Sequence, residues 1–144
     1  MDYRKSGEKI YLRLDKGDEI ITSLTTLCEK KNIRAASFEG IGGCDHVEVG
    51  IFDPEKKSYI THMQDGMFEL VSLNGNVTEY EDKPYIHAHP VFAYHDKDLR
   101  AQTLSGHLLS ARIGLTAEIV VTPADLHITR RFIDELGIRI WDFE

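Results

Sequence analysis

One stretch of this sequence has the periodicity of an α-helix, and strand-like segments make up most of the remainder. Between residues 18 and 32 the apolar side chains recur at spacings of three and four, which places them on one helix face: Ile20, Ile21, Leu24, Leu27 and Cys28. Asp18 or Glu19 at its start and Lys30 and Lys31 at its end suit the helix dipole. We therefore predict one main helix whose apolar face lies on a sheet.

The other segments alternate apolar and polar side chains, as strands buried on one face do. Strands are predicted at residues 9–14, 35–39, 67–77, 85–94 and 108–121, with a hairpin over residues 46–63. Residues 40–43 predict a glycine-rich turn, and the tail predicts one short helical turn before a last strand at residues 138–141. The predicted fold class is α+β: a mostly antiparallel, strongly curved sheet of about seven strands with one main helix packed on it.

Composition limits the classes of protein to which the chain can belong. Its 144 residues include 17 Lys and Arg against 24 Asp and Glu, a formal net charge of −7. This balance does not favour autonomous binding of nucleic acid, which requires cations that neutralise phosphates. No apolar run approaches the ~20 residues that cross a bilayer, and the N-terminus lacks the pattern of a secretory signal. We expect a single cytoplasmic domain over residues 1–144, with Cys28 and Cys44 as buried free thiols.

Three histidines form a candidate metal site. His87 and His89 lie two apart in a predicted strand, so both side chains point to the same face with Cα atoms ~6.6 Å apart. His107 would complete a three-nitrogen site if the strands that flank it pair with the His87 segment. Three histidines leave the fourth position of Zn²⁺ to water, as in catalytic sites, although imidazole also suits other transition metals. The alternative is structural: polar residues on a solvated sheet face and a loop histidine bonded to backbone.

Two carboxylates are candidate catalytic residues. Glu69 and Glu118 lie in otherwise apolar strands, where a carboxylate needs a partner. Each could orient a ligand imidazole or carry a proton beside a metal-bound water. The alternative for each is a structural hydrogen bond or an ion pair across a subunit contact. The motifs of a phosphate-binding loop and of a nucleophile elbow are absent from the sequence.

Three sequence blocks, at residues 66–76, 87–89 and 105–108, resemble those of the plants and prokaryotes conserved (PPC) domain. The resemblance implies a homotrimer, and prokaryotic members that consist of this domain alone are usually described as predicted DNA-binding proteins. It also implies a metal site, usually taken as zinc, at His87, His89 and His107, on a fold similar to that of the zinc enzyme α-acetolactate decarboxylase. The AT-hook that accompanies the plant domain is absent from this sequence, so the resemblance does not include that DNA-binding element.

These observations lead to three hypotheses. The first is a cytoplasmic, homotrimeric, metal-binding PPC-domain protein that acts as a DNA-associated or regulatory module, with Zn²⁺ as the expected metal. The second is a zinc-dependent metalloenzyme, a hydrolase or lyase that acts on a small carbonyl substrate bound at the metal. The third is a scaffold whose trimer interface buries an apolar sheet face and whose metal fixes the positions of the strands.

Overall fold

The computed structural model describes residues 1–143, which form one helix and nine strands. The elements in chain order are β1 (Asp2–Ser6), β2 (Lys9–Asp15), α1 (Ile20–Lys31), β3 (Ala36–Asp53), β4 (Ser58–Tyr80), β5 (Lys83–His95), β6 (Ala101–Ser105), β7 (His107–Pro123), β8 (Thr129–Ile133) and β9 (Ile138–Asp142). The predicted helix and the predicted α+β class are therefore confirmed.

Seven of the strands form one antiparallel sheet in the order β1-β2-β7-β3-β4-β5-β6, and β8 and β9 form a separate hairpin. Gly106 alone separates β6, which pairs with β5, from β7, which pairs with β3. The chain thus passes directly from the edge strand β6 to the interior strand β7, which requires a strongly curled sheet. A Cβ atom at Gly106 would lie 2.8 Å from the carbonyl oxygen of Gly50, so this junction needs glycine.

The helix covers one face of the sheet. The carboxylate of Glu19 caps its N-terminus by accepting from the backbone N–H groups of Ile21 and Thr22. Asn32 ends the helix in the left-handed conformation, with φ 51°. The buried helix residues join buried strand residues in one hydrophobic core, whose largest fully buried members include Phe68, Phe92, Leu14, Leu24 and Leu27. Cys28 and Cys44 are free and buried, as predicted.

The glycine-rich segment at residues 40–43 is not a turn, so that prediction was wrong. It lies inside β3, which runs without interruption from Ala36 to Asp53 with register shifts at Gly40/Gly42 and Gly42/Cys44. A Cβ at Gly42 would lie 2.5 Å from the carbonyl oxygen of Thr116, and one at Gly40 would lie 2.7 Å from that of Glu118. These glycines therefore let the backbone of β7 approach β3 closely.

The tail also differs from its prediction. In place of a short helical turn, Thr129–Ile133 forms β8, which pairs with β9 in a hairpin and packs on β4. The edge strand β1 was not predicted, because its side chains are mostly exposed and lack an apolar alternation. In the part of the chain that is described, no helix has the length and apolar character to span a membrane.

Candidate metal centre

Three imidazole rings converge on the face of the sheet that the helix does not cover. His87, His89 and His107 each present a nitrogen atom, and these nitrogens lie within 4.8 Å of one another. The Nε2 atoms of His87 and His89 are 3.2 Å apart. The ring centroids of the three pairs are separated by 5.0 to 5.5 Å. The 3.2 Å separation is that of two ligands of one metal ion, and the third nitrogen lies close enough for a small side-chain movement to bring it to the same ion.

Strand register places the first two rings. His87 and His89 lie opposite Asn76 and Asn74 of β4, while Ala88 between them is buried in the core. Both histidines thus share the face that the helix does not cover, as the period-two spacing predicted.

The junction between β6 and β7 supplies the third ring. Ser105 of β6 pairs with Val91 of β5, and His107 then begins β7 opposite Gly50. Of the two strands that flank His107, β6 pairs with β5 as the predicted site required, whereas β7 pairs with β3 and β2. At this junction the chain passes from β6, the neighbour of β5, to β7, the neighbour of β3, and His107 lies within 5.5 Å, between ring centroids, of both histidines of β5.

Two residues that the sequence analysis did not select support the rings. Tyr59 stacks on His107 with a centroid distance of 4.8 Å and an interplanar angle of 30°. Arg130, on β8, places Nη2 at 3.5 Å from Nδ1 of His87. The sequence gives little signal for Arg130, because Arg131 follows it directly and only the strand register decides which of the two faces the site.

Burial lowers the pKa values of His87 and His107. Desolvation, followed by the nearby His107 and by Arg130, lowers the pKa of His87 to about 4. Desolvation likewise lowers the pKa of His107, with smaller contributions from His89 and Arg130. Neutral imidazole is the form that binds metal, so both rings have their lone pairs available at neutral pH.

The donor set fits a transition metal. Nδ1 of His107 is buried and has no hydrogen-bond partner among the described residues. A buried polar atom of this kind is unfavourable unless another group meets it, and a nitrogen lone pair suits a cation. The cluster consists of imidazoles without a carboxylate, a composition that favours zinc, copper, iron or nickel over magnesium or calcium.

The two candidate catalytic carboxylates lie outside the cluster of imidazoles. Glu69 and Glu118 are both exposed, and no hydrogen bond joins either of them to His87, His89 or His107 within residues 1–143. Glu118 lines a cavity of about 700 Å³ on the sheet face opposite the helix. Residues of β1, β2, β3 and β4 also line it. This cavity comes near the cluster at Asn74, the register partner of His89. The catalytic role of both glutamates stays a prediction.

Comparison with known proteins agrees with the fold. A family model described as the Plants and Prokaryotes Conserved (PCC) domain matches residues 1–125. A Bacteroides thetaiotaomicron structure, described as a candidate DNA-binding protein, is 31% identical over 99% of this chain and 96% of its own, with a TM-score of 0.89. A plant- and prokaryote-conserved (PPC) protein of Pyrococcus horikoshii is 27% identical over 94% of this chain and 92% of its own, with a TM-score of 0.83.

A metal-containing protein of Archaeoglobus fulgidus is 29% identical over 98% of both chains, with a TM-score of 0.85. Among curated proteins, none matches this chain. The matched family model covers far more than half of the 144 residues, and the Pyrococcus horikoshii structure, which has that family's description, shares the fold. The chain therefore belongs to the plants and prokaryotes conserved domain family.

Proposed function

We propose that this chain is a metal-binding member of its family that holds Zn²⁺ through His87, His89 and His107 and acts as a DNA-associated or regulatory module. The observation that carries the proposal is the convergence of three imidazole nitrogens within 4.8 Å. A relative of 29% identity is described as metal-containing, which supports the same assignment. Bound Zn²⁺ would supply a Lewis acid with one position open to a small ligand. His89 is exposed, so solvent and small ligands can reach the cluster.

A competition titration tests the metal site. Apoprotein is titrated with Zn²⁺ in the presence of a chromophoric chelator, for the wild type and for the His87→Ala, His89→Ala and His107→Ala variants. We expect one strong site per chain in the wild type and its loss in each variant, because two imidazoles hold Zn²⁺ far more weakly than three. His62→Ala is the matched control, since His62 is exposed on β4 and lies outside the cluster. Equal zinc affinity in all five proteins would contradict the proposal.

The proposal includes a homotrimer. Tyr11, Ile41 and Val71 lie on the sheet face opposite the helix and are 50–56% exposed. They surround the cavity of about 700 Å³, and a large exposed apolar patch of this kind is typical of an interface. The trimer is the assembly that the family resemblance implies, so light scattering should give three times the chain mass. A monomer mass would contradict the trimer without affecting the metal site.

Association with DNA is supported by a relative and tested by gel shift. The Bacteroides thetaiotaomicron protein of 31% identity is described as a candidate DNA-binding protein. The net charge of −7 predicts weak binding, because few cations are free to neutralise phosphates. We expect a shift of random or A·T-rich duplex at low salt that disappears at moderate salt. Absence of any shift at micromolar protein in low salt would exclude autonomous DNA binding and leave the regulatory role to another partner.

A zinc-dependent hydrolase or lyase acting on a small carbonyl substrate is the second candidate function. The exposed position of His89 favours it, because a substrate can reach a metal held there. Turnover of activated esters or small 2-keto and 2-hydroxy acids, lost in His107→Ala, would support the enzyme. Glu69→Gln and Glu118→Gln then test whether either glutamate carries the proton. Absence of turnover with every substrate of a broad panel would remove this candidate function.

A further inference from the structure

Arg130 is a buried cation beside the histidine cluster. Its side chain comes from β8, beyond the residues that the family model matches, and the residue is only 8% exposed. The guanidinium donates from Nε to Thr78 Oγ1 at 2.8 Å and from Nη2 to Asn76 Oδ1 at 3.0 Å. It also lies over the Tyr85 ring, 4.4 Å from the ring centroid. These contacts hold its charge in one place.

Within residues 1–143, no carboxylate forms an ion pair with Arg130, whereas Arg34, Arg112 and Arg131 each have one. A buried charge is normally paired, because the low dielectric of the interior makes an unpaired one costly. The nearest functional group of the cluster is Nδ1 of His87, at 3.5 Å from Nη2. The guanidinium therefore adds positive charge to a site whose ligands are neutral.

This charge distribution has a consequence for metal binding. A divalent cation held by three neutral imidazoles beside a guanidinium would give a site with three positive charges and, among the described residues of the cluster, no negative one. An oxyanion that enters with the metal reduces this net charge. Nε2 of His87 faces the cluster, so a metal bound there leaves the proton on Nδ1, which then cannot accept from Arg130. Of the five N–H groups of Arg130, Thr78, Asn76 and the carbonyl of Arg139 accept three, and two are left for such an anion.

We infer that the histidine cluster binds its metal together with a small oxyanion of the carboxylate class, and that Arg130 makes metal binding depend on this anion. The inference rests on the proposed metal site. It assigns to Arg130 the role of a positioning residue whose charge opposes the cation alone and attracts the anion. The ligand on the open side of the site is then a small carboxylate.

Cobalt(II) titrations with and without acetate test the inference. Apoprotein in a buffer with perchlorate as the only other added anion, at constant ionic strength, is titrated with Co²⁺, and the visible absorption of the bound ion is followed. In the wild type, acetate should raise cobalt affinity on the order of tenfold, since residues that contact metal ligands change metal affinity on this scale. Acetate should also change the absorption band of the bound ion. Arg130→Gln should bind cobalt more tightly without acetate and should lose most of the acetate effect.

Arg131→Gln is the matched control, because it removes the same charge from the adjacent, exposed residue and should behave as the wild type does. Equal cobalt affinity and equal spectra of the wild type with and without acetate would overturn the inference, whatever the variants do. Retention of the acetate effect in Arg130→Gln would also overturn it. If Arg130→Gln does not fold, Arg130→Lys, which keeps the charge, should keep the acetate effect. Absence of cobalt uptake under both conditions would instead show that the proposed metal site itself is wrong.

Discussion

Replacement of His107 by phenylalanine is expected to stabilise the metal-free protein and to abolish metal binding. Nδ1 of His107 is buried without a hydrogen-bond partner among residues 1–143. An unsatisfied buried polar group costs about 1–3 kcal/mol, and phenylalanine removes it while keeping an aromatic ring to stack on Tyr59. Since the residue is only partly buried, we take the lower part of this range. The free energy of unfolding should rise by about 1–2 kcal/mol, and Tm by roughly 3–6 °C.

Zinc should reverse the order of stability. A ligand that binds only the folded state stabilises it by about 2.7 kcal/mol at a concentration of 100 Kd. The wild type gains this term and His107→Phe does not, because the variant lacks one of the three nitrogens. The wild type should therefore be the less stable protein in chelator and the more stable one in zinc.

The assay is urea or thermal unfolding of both proteins, in chelator and at saturating zinc. His62→Phe is the control, since it makes the same change at an exposed position of β4 and should alter stability by no more than about 0.5 kcal/mol. A His107→Phe protein that is less stable than the wild type in chelator would refute the reasoning, because Nδ1 would then have a favourable partner. An unchanged order in zinc would refute the metal site.

Further predictions concern the thiols and the backbone. Burial raises the pKa of Cys28 and of Cys44 to about 12, so about one thiol in ten thousand is ionised at pH 8. A disulfide reagent should therefore react slowly with the native protein and label two thiols per chain after unfolding; fast native labelling would contradict this burial. Gly42→Ala places a Cβ against the carbonyl of Thr116 and should lower the free energy of unfolding by about 1–3 kcal/mol in a urea titration, whereas an unchanged value would mean that β7 can move away. Glu19→Ala removes the helix cap and a bond from Ala111 N and should cost about 1–2 kcal/mol; a neutral result by calorimetry would mean that water replaces the carboxylate.

Local pattern predicted most of the fold. The spacing of Ile20, Leu24, Leu27 and Cys28 marks the helix because one face must be buried, and all four are buried. The alternating segments mark the strands for the same reason. The glycine-rich segment at residues 40–43 was wrongly predicted as a turn, because glycine is used both in tight turns and where two backbones approach closely. Only the position of the β7 backbone shows that the second use applies here.

The candidate site was predictable to the extent that it depends on spacing. His87 and His89 share a face because they lie two apart in a strand, which no tertiary contact is needed to establish. The position of His107 depended on a strand pairing that the sequence could only suggest. Arg130 was missed because it joins the site through the packing of the hairpin on β4, and no local pattern reports a contact between residues 43 positions apart.

Elemental analysis of untagged protein, purified without chelator, tests the central claim most directly. The wild type, His89→Ala and His107→Ala are compared, with circular dichroism to show that each is folded. The account predicts about one zinc per chain in the wild type and loss of zinc from both folded variants, because the three nitrogens that lie within 4.8 Å must act together. A wild type that is metal-free and takes up no zinc on addition would contradict it.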